Sequence, residues 1–172
     1  MKVLFVCKGN TCRSPMAEAY LRMLKPEWTV ASAGTKKNCG GKSASSHAQS
    51  VIAACGGSLA DHVSAEFTSE MAAQYDIIFA MAKSDKADIL KIAPDAETKV
   101  KLLGGEKDIP NPFRGDLAKY KKVFNSIRIA VEIFVNETDC LKKKNIDKVT
   151  ILYRENVNIK EIKLNNLLKE AP

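Results

Sequence analysis

The sequence lacks the features of several large classes of protein. Its 172 residues contain no run of about 18 apolar residues, so no membrane-spanning helix is expected. Residues 1–6 form too short and too weakly basic a run for a signal peptide. Five cysteines are too few for a disulfide scaffold in a chain of this length, and their odd number favours reduced thiols. These observations predict a cytoplasmic protein.

The positive charge also lacks the pattern of a nucleic-acid-binding protein. The net charge is +7, and residues 142–172 contribute eight Lys/Arg against four Asp/Glu. No basic stretch is interleaved with stacking aromatic residues, and no nucleic-acid-binding module is recognisable. Gly40-Gly41-Lys42-Ser43 is not a Walker A motif, because Lys36 stands where that motif requires glycine. We expect no nucleic-acid partner, and we expect the charge to attract phosphorylated substrates.

The strongest pattern in the chain is an apolar run followed by a short loop and a helix start. Val3 to Val6 is β-branched and aromatic, which is typical of a buried strand. Ser14-Pro15 predicts a helix start, with Ser14 near the N-cap and Pro15 near the first helical position. Such a loop can direct its N–H groups and the helix N-terminus at one point. The stretch therefore predicts an anion-binding loop.

Three side chains at the ends of this loop predict chemistry on the anion. The N–H dipoles and the charge of Arg13 favour a thiolate at Cys7, which is the nucleophilic form of cysteine. The planar guanidinium of Arg13 can bind two phosphate oxygens at once. The hydroxyl of Ser14 can donate to the sulfur and stabilise its negative charge. We predict that Cys7 attacks phosphorus while Arg13 holds the phosphate oxygens.

The residues between these ends are expected to bind the phosphate. They are Lys8, Gly9, Asn10, Thr11 and Cys12. Gly9 permits a turn that a side chain would obstruct, and Asn10 tolerates a positive φ or bonds the loop from within. The alternative is a strand–turn–helix with a merely buried cysteine. We favour a reactive cysteine because cysteine, arginine and serine occur together at this spacing.

The loop resembles the signature of the low-molecular-weight protein tyrosine phosphatases. That signature is a cysteine, five residues, an arginine and a serine or threonine near the N-terminus, which Cys7 to Ser14 match. The resemblance extends over residues 1–140. It includes Pro15-Met16-Ala17-Glu18, Ser32-Ala33-Gly34-Thr35, Asp61-His62, Tyr75-Asp76-Ile77-Ile78-Phe79-Ala80-Met81 and Pro110-Asn111-Pro112-Phe113.

The resemblance implies hydrolysis of phosphotyrosine in proteins through a phosphocysteine intermediate. Phosphorylated proteins would be the partners, inorganic phosphate the product, and neither a cofactor nor a metal would be needed. Ser32 would brace the loop through Asn10, although a solvent-facing serine at a strand end is an equal alternative. His62 would buttress the loop without performing chemistry. His47 is expected at the surface.

The resemblance also suggests residues at the rim of the site. The loop over residues 34–46 borders the active site in the family. Asn38, Cys39 and Lys42 are therefore expected to contact the flanks of the substrate.

One position departs from the family pattern. The family carries an Asp-Pro pair followed by an aromatic residue, and these supply the general acid and one wall of the substrate slot. Phe113 matches the aromatic wall, but Asn111 stands at the position of the acid. An amide cannot deliver a proton. Asp108 and Asp116 are the candidates to replace the acid, and we favour no replacement because two prolines stiffen the loop.

Three further interpretations share the signature loop. Thr11 resembles the protein-arginine phosphatases, in which a threonine at this position is associated with phosphoarginine preference. A thioredoxin-coupled arsenate reductase is disfavoured, because it needs two more cysteines near residues 80–90, where this chain has none. A non-catalytic phosphate- or phosphoprotein-binding module is motivated by Asn111.

Strands alternating with helices predict the fold. The predicted strands cover residues 3–6, 28–33, 75–81 and 99–103, and the predicted helices cover 15–24, 46–54, 84–92 and 119–136. This order predicts an α/β fold with a four-stranded parallel twisted sheet and helices on both faces, as in the phosphatase I-like fold. Residues 1–140 would form the phosphatase domain. Residues 141–172 would form a basic C-terminal extension with an added strand over 149–153 and a helix over 159–168.

Overall fold

The computed structural model describes residues 1–143, with side chains as far as residue 141. The strands are β1 (Lys2–Cys7), β2 (Thr29–Gly34), β3 (Ile77–Ala80) and β4 (Val100–Leu102). The helices are α1 (Arg13–Leu24), α2 (Ser46–Ala53), α3 (Ser69–Gln74), α4 (Lys83–Ile92) and α5 (Leu117–Lys143). A 3-10 helix, Pro94–Lys99, leads into β4.

The four strands form one parallel sheet in the order β2-β1-β3-β4. The predicted four-stranded α/β fold is therefore confirmed. The chain moves outward from β1 to β2 and then returns to the other side of β1. In open α/β sheets, ligands bind beyond the carboxyl ends of the strands at such a reversal. Cys7 is the last residue of β1 and lies opposite Gly34 at the end of β2.

Alternate residues of the strands face opposite layers of helices. Val3 and Phe5 of β1 pack in one apolar cluster with α1, α2 and α5. Leu4 and Val6 pack in a second cluster with α3, α4 and the 3-10 helix. In the first cluster the ring of Phe79 lies 4.8 Å from that of Phe134 on α5. Both faces of the sheet are thus covered by helices, as the nearly continuous apolar strands predict.

The start of α1 differs from the prediction. Cys12 occupies the N-cap position and its side chain makes no capping hydrogen bond. Ser14, predicted near the N-cap, lies inside the first turn. Its hydroxyl is engaged elsewhere, 3.1 Å from the sulfur of Cys7. By contrast, the side chains of Ser45 and Thr68 cap α2 and α3 in the usual way.

The last described helix is longer than its predicted range of residues 119–136. The predicted apolar face of α5 is buried, and it consists of Val123, Ile127, Ala130, Val131 and Phe134. The ammonium of Lys25 is 2.7 Å from the carboxylate of Asp139, which ties the end of α1 to α5. No helix within residues 1–143 is long and apolar enough to cross a membrane. The strand and helix predicted over residues 149–168 lie outside the described residues.

Candidate active site

The loop between β1 and α1 is held in place by backbone hydrogen bonds from the segment that follows β2. The N–H groups of Thr35 and Lys36 donate to the carbonyls of Cys7 and Lys8 at 3.0 and 2.9 Å. These bonds extend the contact between β1 and β2 into the loop. The N–H of Ser45 donates to the carbonyl of Thr11 at 2.9 Å. The backbone of the phosphate loop, residues 7–14, is therefore fixed from outside the loop.

The sulfur of Cys7 lies at the bottom of this loop beside a serine hydroxyl. Cys7 Sγ is 3.1 Å from Ser14 Oγ, and both residues are buried. Asn10 Nδ2 donates to Ser14 Oγ at 3.0 Å, while the carbonyl of Ala33 is a longer 3.4 Å from that oxygen. A hydroxyl has a single proton to donate. With Cys7 as a thiolate, that proton goes to the sulfur, which is the nearer and charged acceptor.

Asn10 holds the loop from within. Its backbone lies in the left-handed region at φ 51°, which asparagine tolerates better than most residues. Its Nδ2 donates to Ser32 Oγ at 2.7 Å, and its Oδ1 accepts from the N–H of Ala65 at 2.8 Å. Ser32 is buried and donates in turn to Glu18 Oε2 at 2.5 Å. The structure thus contains the expected Ser32–Asn10 contact, and the solvent-facing alternative for Ser32 is wrong.

His62 supports the same loop through the backbone. Its Nε2 is 2.8 Å from the carbonyl oxygen of Asn10. A carbonyl can only accept, so this nitrogen carries a proton in the bonded tautomer. His62 lines a second cavity behind the loop, together with Glu18 and Ser32. Its placement is that of a buttress, as the resemblance implies.

Gly34 allows the close approach of three segments behind Cys7. A methyl group at this position would lie 2.7 Å from Cys39 Sγ and 3.1 Å from the backbone nitrogen of Asn10. The first distance is too short for a real contact. The glycine therefore permits β2, the phosphate loop and the segment around residue 39 to pack together.

Arg13 is fixed from behind by a buried carboxylate. Only 5% of Arg13 is exposed, and its Nη1 donates to the carbonyl of Ile109 at 3.2 Å. The same nitrogen lies 3.3 Å from Asp85 Oδ2, an oxygen that accepts no hydrogen bond within the described part of the chain. Burial raises the pKa of Asp85, and the charge of Arg13 opposes that shift. The pair holds the guanidinium in one position at the loop.

Most of the predicted site residues line one cavity of about 440 Å³. Its lining comprises Cys7, Lys8, Gly9, Thr11, Cys12, Arg13, Lys36, Cys39, Lys42, Ser43, Ser45, Asn111 and Phe113. Asn10 and Ser14 are buried within the loop and do not line the cavity, and Asn38 is exposed outside the cavity. The volume falls within the usual range for small-ligand sites. The cavity therefore offers room for a phosphoryl group and the side chain that carries it.

The loop over residues 104–116 forms the opposite wall. Asn111 is exposed, and its Oδ1 accepts from the N–H of Phe113 at 3.1 Å. Phe113 is 59% exposed, with the guanidinium of Arg114 over its ring at 5.4 Å. No carboxylate from the described residues lines the cavity.

The two candidate replacements for the acid are engaged elsewhere. Asp108 Oδ1 accepts from the N–H of Lys83 at the start of α4, at 2.8 Å. Asp116 Oδ1 accepts from the N–H of Lys119 in the first turn of α5, also at 2.8 Å. Both carboxylates stabilise helix N-termini, where a negative charge is favourable. In this conformation neither residue lines the cavity.

Two residues near the floor of the cavity were not anticipated from the sequence. The hydroxyl of Tyr120 on α5 is 3.1 Å from Cys12 Sγ and accepts from Ser45 Oγ at 3.2 Å. Burial raises the pKa of Tyr120, and its hydrogen bond with Cys12 adds to this. The ring of His47, predicted at the surface, is half-buried and 5.3 Å from that of Tyr120. The one sequence signal that could have indicated Tyr120 was its place, as a tyrosine, on the apolar face of α5.

Comparison with known proteins agrees with this geometry. The family described as low molecular weight phosphotyrosine protein phosphatase matches residues 2–148. The chain belongs to this family. The low molecular weight protein-tyrosine-phosphatase Wzb of Salmonella typhi is 39% identical over 126 residues, which are 72% of this chain and 84% of Wzb.

Solved structures in the family share the fold. Wzb from Vibrio vulnificus, in complex with benzylphosphonate, has a TM-score of 0.76 and is 35% identical, covering 78% of this chain and 97% of its own. The YwlE arginine phosphatase from Geobacillus stearothermophilus has a TM-score of 0.78 and is 30% identical. The match covers 83% of this chain and 96% of the YwlE chain. This low molecular weight phosphatase is thus similar to enzymes of two named specificities.

Proposed function

We propose that this phosphatase removes phosphate from phosphotyrosine in proteins, with Cys7 as the nucleophile. The observation that supports this most directly is the placement of Cys7 Sγ. The sulfur lies 3.1 Å from a buried serine hydroxyl, in the loop between β1 and α1 whose Arg13 is also buried. That arrangement favours a thiolate facing a site for phosphate oxygens.

In the first step the Cys7 thiolate attacks phosphorus. The S–P bond forms while the bond from phosphorus to the tyrosine oxygen breaks, and its electron pair leaves on that oxygen. The guanidinium of Arg13 and the loop N–H groups hold the remaining phosphate oxygens, where negative charge accumulates. Asp85 and the Ile109 carbonyl keep Arg13 in position without substrate.

In the second step water attacks the phosphocysteine. An O–P bond forms, the S–P bond breaks, and the Cys7 sulfur leaves as a thiolate with inorganic phosphate as the other product. The Ser14 hydroxyl stabilises that leaving thiolate by donating its proton at 3.1 Å. Asn10 supports this role because its amide donates to the same hydroxyl and leaves its proton free for the sulfur.

The site lacks a general acid, among the described residues, to protonate the leaving tyrosine oxygen. Asn111 is at the cavity but has no acidic proton, and Asp108 and Asp116 cap helices. We infer that the tyrosine leaves without general acid catalysis by this loop. The expected result is slow cleavage of phosphotyrosine relative to aryl phosphates whose leaving groups need no proton.

The experiment is to mix the enzyme with a phosphotyrosine peptide, quench within the first turnover and locate the phosphoryl group by mass spectrometry. We expect it on Cys7, and we expect a Cys7→Ser variant to release no phosphate by turnover. A Cys140→Ser variant is the matched control, because Cys140 is exposed on α5 far along the chain. Phosphate release by Cys7→Ser at the wild-type rate would contradict the mechanism.

A second candidate substrate is phosphoarginine, and Thr11 is the observation that favours it. Thr11 lines the cavity beside Cys7, and the similar YwlE structure is of an arginine phosphatase. The kcat/KM values for matched phosphotyrosine and phosphoarginine peptides distinguish the two. A preference for phosphoarginine that falls in Thr11→Ile would replace our first assignment.

A cytoplasmic location is part of the same proposal. A nucleophilic thiol needs reducing surroundings, and all five cysteines of the sequence lie within the described residues as free thiols. Reaction of the thiols in intact cells with an impermeant reagent would place the protein elsewhere.

A further inference from the structure

The mouth of the active-site cavity is basic where the phosphate loop meets residues 35–45. Lys8, Lys36 and Lys42 all line the cavity and are exposed, and no acidic side chain among the described residues lines it. A phosphate site needs positive charge at its base, which Arg13 already provides. Charge at the rim lies where the neighbours of a phosphorylated residue would pass.

Within residues 1–143, two of these three lysines have no acidic partner. Lys8 Nζ is 2.8 Å from Asp88 on α4, and that hydrogen bond raises the pKa of Lys8. None of the carboxylates in the described part of the chain pairs with Lys36 or Lys42. Their ammonium groups are therefore available to a ligand that brings its own negative charge.

The backbone that carries the two free lysines is held firmly. The N–H of Lys36 donates to the carbonyl of Lys8 beside the nucleophile, at 2.9 Å. The N–H of Lys42 donates to Ser64 Oγ at 2.9 Å, and its carbonyl accepts from the N–H of Ser64 at 2.8 Å. The starting points of both side chains are thus fixed relative to Cys7. A fixed backbone reduces the ordering cost of recognition at the rim.

We propose that this phosphatase prefers phosphoproteins in which carboxylate side chains flank the phosphorylated residue, and that Lys36 and Lys42 bind those carboxylates. This proposal rests on the proposed function and adds a substrate class to it. Phe113 on the opposite wall takes the side chain that carries the phosphate. Arg114, with its guanidinium over the ring of Phe113, adds a further positive charge at that wall.

The test compares two peptides that differ only in charge. In one, glutamate occupies the positions flanking phosphotyrosine, and in the other glutamine does. We expect kcat/KM of the full chain to favour the glutamate peptide by about 2- to 30-fold, as two exposed ion pairs would give. The preference should shrink as the salt concentration is raised from about 0.02 to 0.5 M, because exposed charges are screened.

Variants then assign the preference to particular residues. Lys36→Gln with Lys42→Gln should remove most of the wild-type preference and bring the ratio close to one, while Lys36→Arg with Lys42→Arg should retain the wild-type ratio. Lys121→Gln with Lys122→Gln is the matched control, because both lysines are exposed on α5 and neither lines the cavity. The control should keep the wild-type ratio. Each ratio is taken within one variant, so that a general loss of activity cancels.

The possible results separate the two proposals. Normal turnover with a wild-type ratio near one at low salt overturns the inference alone. If Lys121→Gln with Lys122→Gln lowers the glutamate preference as much as Lys36→Gln with Lys42→Gln does, the assignment to Lys36 and Lys42 is overturned. An absence of turnover on both peptides and on p-nitrophenyl phosphate overturns the proposed function, and the inference with it.

Discussion

The two loops that face each other across the cavity differ in how firmly their side chains are held. In the phosphate loop Asn10 and Ser14 are fully buried and Arg13 is 5% exposed, and each has hydrogen-bond partners. In the loop over residues 104–116, Phe113 is 59% exposed, and the side chain of the exposed Asn111 accepts from the N–H of Phe113 in its own turn. The half of the site that binds phosphate is complete without substrate. The half that faces the leaving group is open and lacks an acid.

This difference shows that the phosphate loop, and not the loop opposite it, is preorganised to bind its ligand. Preorganised donors stabilise charge in a transition state without further reorganisation. The phosphate loop has that property because β1, β2, α1 and the segment around Ala65 all hold it. The opposite loop connects β4 to α5. Its Asp108 and Asp116 accept hydrogen bonds from N–H groups at the N-termini of α4 and α5. Variants in the phosphate loop should therefore lose activity, whereas a variant in the opposite loop can gain activity.

The largest expected effect is in the firmly held loop, at Arg13. Arg13→Lys keeps the charge but loses the planar pair of donors, so kcat should fall about 10²- to 10³-fold on any phosphate ester. Steady-state kinetics on p-nitrophenyl phosphate measures this. Arg128→Lys on α5 is the matched control and should stay within twofold, because its side chain bonds Asn125 and Glu132 on the same helix and does not line the cavity. A loss below about tenfold in Arg13→Lys would mean that a positive charge at this position is enough, without the planar pair of donors.

The next effect is a gain, in the open loop. Asn111→Asp supplies a carboxylic acid at the cavity and should raise cleavage of phosphotyrosine about 10²-fold. The gain should be smaller on p-nitrophenyl phosphate, because nitrophenolate leaves more easily without a proton. The rates of both substrates across pH provide the measurement. No change on either substrate would show that this loop does not reach the leaving group.

A smaller loss is expected where the phosphate loop is braced. Asn10→Ala removes hydrogen bonds to Ser14, Ser32 and the N–H of Ala65, so activity should fall about tenfold and the free energy of unfolding by about 3 kcal/mol. Asn38→Ala is the matched control. Its backbone is also left-handed, at φ 57°, but it is exposed, so it should lose only about 1 kcal/mol.

Denaturant unfolding and the kcat of both Asn10→Ala and Asn38→Ala decide this prediction. Equal losses of stability in the two variants would mean that the backbone conformation, and not the side-chain network, accounts for the effect.

The smallest effects are expected at the two aspartates of the open loop. Asp108→Asn and Asp116→Asn remove an acid but keep a side-chain oxygen that can accept from the helix N–H group, as asparagine does about as well as aspartate. We expect less than a twofold change in kcat and little change in the unfolding midpoint. A large drop in turnover for either variant, with unchanged stability, would identify that residue as the relocated acid.

The anion-binding loop and the sheet could be predicted because their signals are local. The apolar run ending at Cys7 and the serine-proline start of α1 lie within a few residues of each other. The position of Ser14 was not predictable from the same pattern. A serine before proline is a typical N-cap, but contacts with Cys7 and Asn10 place this one inside the helix.

The partners of the catalytic loop were harder to predict because they come from distant parts of the chain. Asp85 lies in the first turn of α4 and Tyr120 on α5, and neither carries a motif of its own. Ser32 and His62 were anticipated only through the family resemblance. Lys42 was expected at the rim from the family resemblance, whereas Lys36 was not, and the sequence could not show that both lack an acidic partner among the described residues.

By itself the sequence determined the parallel α/β fold, and it predicted Cys7 as the nucleophile, Arg13 as the phosphate-binding arginine and the lack of an acid at position 111. These follow from short-range patterns, since strand periodicity and loop spacing depend on neighbouring residues. Only the tertiary structure decided that Asp85 holds Arg13 and that Asp108 and Asp116 are occupied as helix caps. It alone shows that Lys36 and Lys42 line the cavity without an acidic partner among the described residues. The physical reason is that a carboxylate or an ammonium acts through whatever lies within about 4 Å of it, and in a crossover fold those neighbours are distant in the chain.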